Sequence, residues 1–317
     1  MIACVLSCLW SCQAQASSLG LVVGSRAPKL QVSDWPHGPA IQKLEPGNVY
    51  LIEFWATWCP PCVSSAPHLA ELQRKYESKG LKVIGITQLD NWGSDPDSIG
   101  QLLKQMGPKM DYPIGIDEVA PKAYQGVFNG RTECAYLGAA QVQAIPCSFL
   151  VDREGRIAFI GLPTLVDTPL QQVMSNTFDL GLAAKAYAKT KRVESNMLVL
   201  EGLLKAGRFK AANVLAAQLA ADSVEDARIQ SLIADEMVGF EGKKLKPSEL
   251  KLALACATRS VEASHRTDPE MLAALAGVLR YQNRRTESNK LMLQAIKLAS
   301  GVQKQQLVER AKLYKKR

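Results

Sequence analysis

Phe54-Trp55-Ala56-Thr57-Trp58-Cys59-Pro60-Pro61-Cys62 is the stretch that decides the fold of this chain. Upstream, residues 49–55 are an apolar and aromatic run broken only by Glu53, the composition of a strand buried on both faces. Downstream, residues 60–78 repeat apolar positions at helical spacing through Leu69, Leu72 and Tyr76, and stop at Lys79-Gly80. The two cysteines therefore fall at a strand-to-helix turn. Cys59 stands at the helix N-terminus, where unpaired backbone N–H groups and the dipole favour an anion. A thiolate placed there attacks disulfides readily. Cys62, three residues on, projects from the same face and can resolve the mixed disulfide that Cys59 forms. Pro60 and Pro61 occupy the first turn, where a missing N–H costs no helix bond, and they stiffen the loop between the sulfurs.

The same spacing can be half of a zinc site, which needs two further ligands. Of the three histidines, His37 precedes the strand and His68 lies on the cysteine helix, and no second C-x-x-C exists. Redox use is therefore the favoured reading.

Working outward, residues 81–87 read as a second buried strand, 99–106 as a short helix and 112–116 as an edge strand. Residues 148–151 and 157–160 flank Asp152-Arg153-Glu154-Gly155-Arg156, a hairpin turn signal, and 165–180 close as a helix. This order predicts an α/β core with a mixed sheet flanked by helices, its chemistry at the strand end that feeds the cysteine helix. From about Ala183 aromatics nearly vanish and Ala, Leu, Lys and Gln take over. Residues 192–206, 209–221, 224–238, 248–264, 269–281, 286–300 and 303–314 read as helices, an all-α array of helical hairpins. The expected division is a signal peptide over 1–16, an α/β domain over 20–181 and a helical domain over 190–317.

The cysteine stretch resembles thioredoxins, specifically the exported TlpA/ResA-like branch of the thioredoxin and AhpC-TSA superfamily. Pro67, eight residues after Cys59, matches the proline in that family's active-site helix. Ile145-Pro146, followed by Ser148-Phe149-Leu150-Val151-Asp152 and Gly155, matches the family's cis-proline segment. Residues 87–117, with Met110-Asp111-Tyr112-Pro113, look like the helix and strand that the branch inserts. The resemblance spans about residues 24–180 and implies a thioredoxin fold there. It also implies that Pro146 carries a cis peptide bond facing the sulfurs, and that Ile145 beside it binds substrate backbone. Trp58, with Pro60 and Pro61, would belong to the partner-binding surface, and Trp55 to the packing; Trp35 and Trp92 read as ordinary packing. Over residues 268–300 the helical region resembles tetratricopeptide repeats at Leu272, Leu275, Ala276, Leu279 and Ala295, with Ser288 in place of an inter-helix Ala. Helices without true repeats are the alternative.

Glu53 is the one charged group in its strand, where burial raises a carboxyl pKa. It lies six residues before Cys59, where thioredoxins keep a buried acid. Carried over, that role is to accept the Cys62 proton. The competing reading is a Glu that reaches solvent or pairs with a lysine such as Lys82. Cys147 follows Pro146 directly; it either pairs with Cys134 or is an inert buried thiol. Cys134 is expected in a loop, and Cys256 in the core of an apolar helix.

The chain has 317 residues, 47% of them hydrophobic, and a net charge of +8. That length suggests about two domains. Lys243-Lys244-Leu245-Lys246 and Lys315-Lys316-Arg317 carry much of the late charge, but aromatics are only 6% of the chain, so a solvated surface is expected rather than nucleic-acid binding. Residues 2–10 are mostly apolar and Ala14-Gln15-Ala16 is an A-x-A site, so export with cleavage before Ser17 is expected. A lipid anchor on Cys12 is the alternative. Cleavage removes Cys4, Cys8 and Cys12, leaving five cysteines, an odd number, in an oxidising compartment.

The expected function is an exported, periplasmic dithiol reductase without a bound cofactor, working through the redox-active pair Cys59 and Cys62. Its substrates would be disulfides of exported proteins, including apocytochromes during haem attachment. The resemblance implies a membrane thiol donor of the DsbD or CcdA kind. A thiol peroxidase needs a Thr three residues before its cysteine, whereas Thr57 stands two before Cys59. A third reading makes the helical tail a platform that recruits one protein partner to the redox domain.

Overall fold

The computed structural model describes residues 20–90, 93–120, 128–239 and 245–316. The expected signal segment with Cys12, Trp92, and Lys243 and Lys244 lie outside the described residues. The chain divides into two compact units between Ala188 and Lys189.

The first unit is built on a six-stranded sheet with spatial order β1-β4-β3-β2-β5-β6. Its strands are β1 (Val32–His37), β2 (Val49–Phe54), β3 (Leu81–Thr87), β4 (Ile114–Asp117), β5 (Cys147–Val151) and β6 (Ile157–Gly161). The central β2 is buried at every position, as its apolar run requires. It pairs parallel to β3 and antiparallel to β5, so the sheet is mixed. Side chains alternate along β2. Val49, Leu51 and Trp55 join the core under α1 (Pro60–Tyr76), while Tyr50, Ile52 and Phe54 face the opposite core with Tyr136 and Phe149. Glu53 shares the first face, the one carrying Cys59 and Cys62.

Local chemistry sets the element ends. Helix α1 begins on Pro60 and Pro61, ends with Arg74 and Lys75 in its last turn, and is followed by Gly80 in the left-handed region at φ 89°. Helix α2 (Pro96–Met106) starts at a capping box in which Asp95 accepts from Asp97 and Ser98 N–H groups. In the β5–β6 turn Asp152 Oδ1 accepts from the Glu154 and Arg156 N–H groups, both at 2.9 Å.

Two expectations need correction. The strand expected at the edge is interior, because β1 pairs antiparallel with β4 and covers it. The register of β1 shifts at Asp34 and again at His37, which hides its alternation in the sequence. The closing helix expected over 165–180 is split. A 3-10 turn (Pro163–Leu165) leads into α4 (Asp167–Met174), and Asn176 then turns left-handed at φ 57°. The next long helix starts afresh, with Asp179 Oδ1 accepting from the Leu182 N–H. A short helix α3 (Arg131–Glu133) continues into a π-helical turn (Cys134–Gly138), where no element was expected.

The second unit is helical. It comprises the end of α5 (Leu180–Lys205), α6 (Phe209–Asp222), α7 (Ala227–Gly239), α8 (Pro247–Ala263), α9 (Pro269–Tyr281), α10 (Arg285–Leu298) and α11 (Gly301–Lys316). Small residues such as Ala216, Ala257, Ala273 and Ala276 fill its core beside Leu200, Leu272 and Leu291. Ser288 is buried where α9 meets α10, and its hydroxyl donates to the Ala276 carbonyl at 2.7 Å, which satisfies it.

Candidate active site

Cys59 is the N-cap of α1 and is joined by a disulfide to Cys62, with Cα atoms 5.3 Å apart. Both are buried, while Pro60, Pro61 and Trp58 (41% exposed) form the surface around them. The Cys62 N–H points at Cys59 Sγ at 3.3 Å. Pro60 and Pro61 carry no N–H, so this is the first donor of α1; it is shared between the Cys59 carbonyl at 3.0 Å and the Cys59 sulfur, where it favours negative charge. The loop ahead of it is tied down on both sides. Thr57 Oγ1 donates to the Gly93 carbonyl at 2.6 Å, and Trp58 Nε1 donates to Asp90 Oδ2 at 2.7 Å.

The Ile145–Pro146 peptide bond is cis. The Ile145 carbonyl lies 3.9 Å from Cys59 Sγ, so the segment entering β5 borders the reactive sulfur. Cys147 is buried on β5 opposite Phe54, in the core on the far side of the sheet from α1. Cys134 forms no disulfide; its thiol donates to the Phe128 carbonyl at 3.5 Å. Cys256 is fully buried in the helical unit.

Glu53 is 2% exposed, and burial pushes its pKa up to about 8 although the Ser148 hydroxyl donates to its Oε2. The antiparallel register makes that contact, since Glu53 sits directly across from Ser148. Oε1 has no partner among the described residues. On the other side Glu53 faces Gly85 on β3. A Cβ there would lie 3.0 Å from Trp55 Nε1 and 3.2 Å from the Tyr112 ring, so Gly85 makes room for these groups. Tyr112 is held protonated by burial and by the nearby Glu53 charge. Lys82 instead lies over the Tyr50 ring.

The sequence does not mark Ser148, Gly85 or Tyr112 as site residues: strand register brings Ser148 and Gly85 to Glu53, and Tyr112 arrives from the segment leading into β4. Asp117 and Glu133 were also missed. Asp117, at the end of β4, accepts from the Thr132 and Glu133 N–H groups at 2.9 and 2.8 Å. It thereby fixes the start of α3. The histidines considered for zinc are engaged separately, His37 with Asp111 and His68 with Asp167.

Loss of the Ser148 hydroxyl is a direct probe of the acid. That hydrogen bond stabilises the carboxylate, so Ser148→Ala should raise the Glu53 pKa further and move any rate that depends on ionised Glu53 to higher pH. A pH profile of the second-order rate constant for disulfide reduction checks this.

Residues 22–173 match the redoxin family. The chain is 28% identical over 166 residues to the protein FixW of Rhizobium leguminosarum, across 51% of this chain and 70% of FixW. It is 30% identical over 135 residues to the thiol-disulfide oxidoreductase ResA of Bacillus thuringiensis (strain Al Hakam), across 43% of this chain and 66% of ResA. The solved structure of a thiol-disulfide isomerase from Corynebacterium glutamicum aligns at 20% identity with a TM-score of 0.39, over 48% of this chain and 97% of that one. The redoxin match ends at residue 173, before the helical unit begins.

Proposed function

Residues 22–173 belong to the redoxin family and make this chain a thiol–disulfide oxidoreductase, and on that premise we propose that it reduces disulfides of exported proteins through Cys59 and Cys62. The observation that carries the proposal is a cysteine pair at a helix start, bordered by Ile145 and lying on the same face of the sheet as a buried acid.

Each step follows from this placement. In the reduced protein the Cys59 thiolate attacks one sulfur of a client disulfide, and the other client sulfur leaves as a thiolate. The Cys62 thiol gives its proton to ionised Glu53, and the Cys62 thiolate attacks Cys59 Sγ. The second client sulfur leaves, and the protein holds the Cys59–Cys62 disulfide seen here. Two electrons pass from the protein dithiol to the client. Return to the dithiol needs two electrons from a donor, which we assign to a membrane thiol relay of the DsbD or CcdA kind. Export to the periplasm, with removal or anchoring of the N-terminal segment, belongs to the same reading, as does apocytochrome reduction during haem attachment. The helical unit would hold a protein partner close to the redox unit.

Trapping tests the assignment. Cys62→Ser leaves the attacking sulfur but removes the resolving one, so clients should accumulate as mixed disulfides on Cys59 that dithiothreitol releases. Capture of exported disulfide-containing proteins is expected. A Cys62→Ser protein that captures nothing, while Cys59 remains alkylatable, would contradict the proposal.

A further inference from the structure

A cavity of about 260 Å³ opens beside the reactive sulfur. Its apolar walls are Trp55, Trp58, Phe128 and Ile145, and its charged lining residues are Asp90 and Glu133. No lysine or arginine lines it among the described residues. Trp58 precedes Cys59 in the chain and the Ile145 carbonyl lies 3.9 Å from Cys59 Sγ, so the walls of this cavity flank the atom that attacks a client.

Glu133 is the lining residue whose chemistry is left open. That side chain is 3% exposed, and its Oε2 has no hydrogen-bond partner among the described residues. Asp90 is committed elsewhere, taking Trp58 Nε1–H at 2.7 Å on Oδ2 and the Ser94 N–H at 3.0 Å on Oδ1. Asp117 grips the Glu133 and Thr132 N–H groups and so holds Glu133 in place. Gly130 is required beside it, because a Cβ there would fall on the Asp117 carboxylate. Burial, the Asp117 charge and the Asp90 charge push the Glu133 pKa up to about 8, with the Gly130 N–H opposing them. A buried carboxyl with an open acceptor is costly unless something satisfies it.

A cavity with apolar walls and carboxyl groups in its lining fits a long aliphatic stem tipped by a cation. We propose that this cavity receives a lysine or arginine side chain of the client, next to the client cysteine that Cys59 attacks, with its charged head on Glu133. The proposal rests on the reading of the chain as a reductase of protein disulfides. The chain as a whole carries +8, so attraction of a cationic client to this site is local rather than a property of net charge.

The test uses the full-length protein, reduced and freed of reductant. Its substrates are short peptides with one cysteine held as a mixed disulfide with 5-thio-2-nitrobenzoate. They are identical except for Lys, Arg, norleucine or Glu flanking the cysteine on either side. Cys59 takes the peptide sulfur, the aryl thiolate leaves and is read by colour, and Cys62 then releases the peptide thiol. On one side of the cysteine, the Lys or Arg peptide should react about tenfold faster than norleucine, and the Glu peptide slower. Glu133→Gln should bring the Lys-to-norleucine ratio close to one. Equal rates for Lys, Arg and norleucine in the unsubstituted protein overturn the proposal whether or not the variant folds. So does a ratio that survives Glu133→Gln. If all four peptides react only at background, the thiol–disulfide reading itself has failed; if all react quickly and equally, only the cationic subsite has.

Discussion

Cys59→Ser is expected to take disulfide reduction to the uncatalysed background, a loss on the order of 10³-fold or more. Among the described residues, Cys59 is the sulfur that a first-turn N–H points at and that has the Ile145 carbonyl at its side. Cys62 lies inside the first turn of α1, away from the Ile145 carbonyl that borders Cys59, and Cys147 lies in the core on the other side of the sheet. Neither can take over the attack. A steady-state assay on a generic protein disulfide checks the loss, and a Cys59→Ser protein retaining a tenth of the activity would place the nucleophile elsewhere.

Glu53→Gln should slow the release of the client, the step that needs the Cys62 thiolate, by about 10²-fold. With a pKa of about 8, Glu53 is mostly protonated at neutral pH, so the wild-type resolving rate should climb as pH rises to about 8 and level off above it. The variant should lose that climb. Stability should move the opposite way. The folded pKa lies above the ordinary carboxyl value of 4.5, so the native state binds the extra proton and its stability falls as pH rises from about 4.5 to about 8. The full cost of ionising the buried group is on the order of 4–5 kcal/mol. Glu53→Gln removes it, so the oxidised variant should resist denaturant better than wild type at pH 9 and show no advantage at pH 4. Equal alkaline stabilities would mean that Glu53 is not the buried acid described here.

The central frame was legible because its signals are local. The apolar run of β2, the prolines after Cys59 and the Asp152–Gly155 turn each specify their element within a few residues. The helical unit was legible from its composition and its polar breaks. What escaped depends on register and distant pairing. Ser148 meets Glu53 across 95 residues of chain, through the β2–β5 register. Strand β1 has Pro36 and two register shifts in six residues, so neither alternation nor an unbroken apolar run marks it. Asn176 breaks the closing helix through a left-handed φ that no periodicity in residues 165–180 announces. Glu133 lies where no apolar repeat was visible, and its placement depends on Asp117, 16 residues earlier.

The most direct test of the account is a redox titration of the Cys59–Cys62 pair, by thiol trapping across a dithiothreitol or glutathione series, with Cys59→Ser and Cys62→Ser as controls. A two-electron transition near or below about −250 mV, in the thioredoxin range, is the predicted result, because a client reductase must hold its electrons less tightly than its clients do. A transition near about −120 mV would make the pair a disulfide donor and reverse the proposed direction, and a protein with no titratable Cys59–Cys62 disulfide would contradict the account outright.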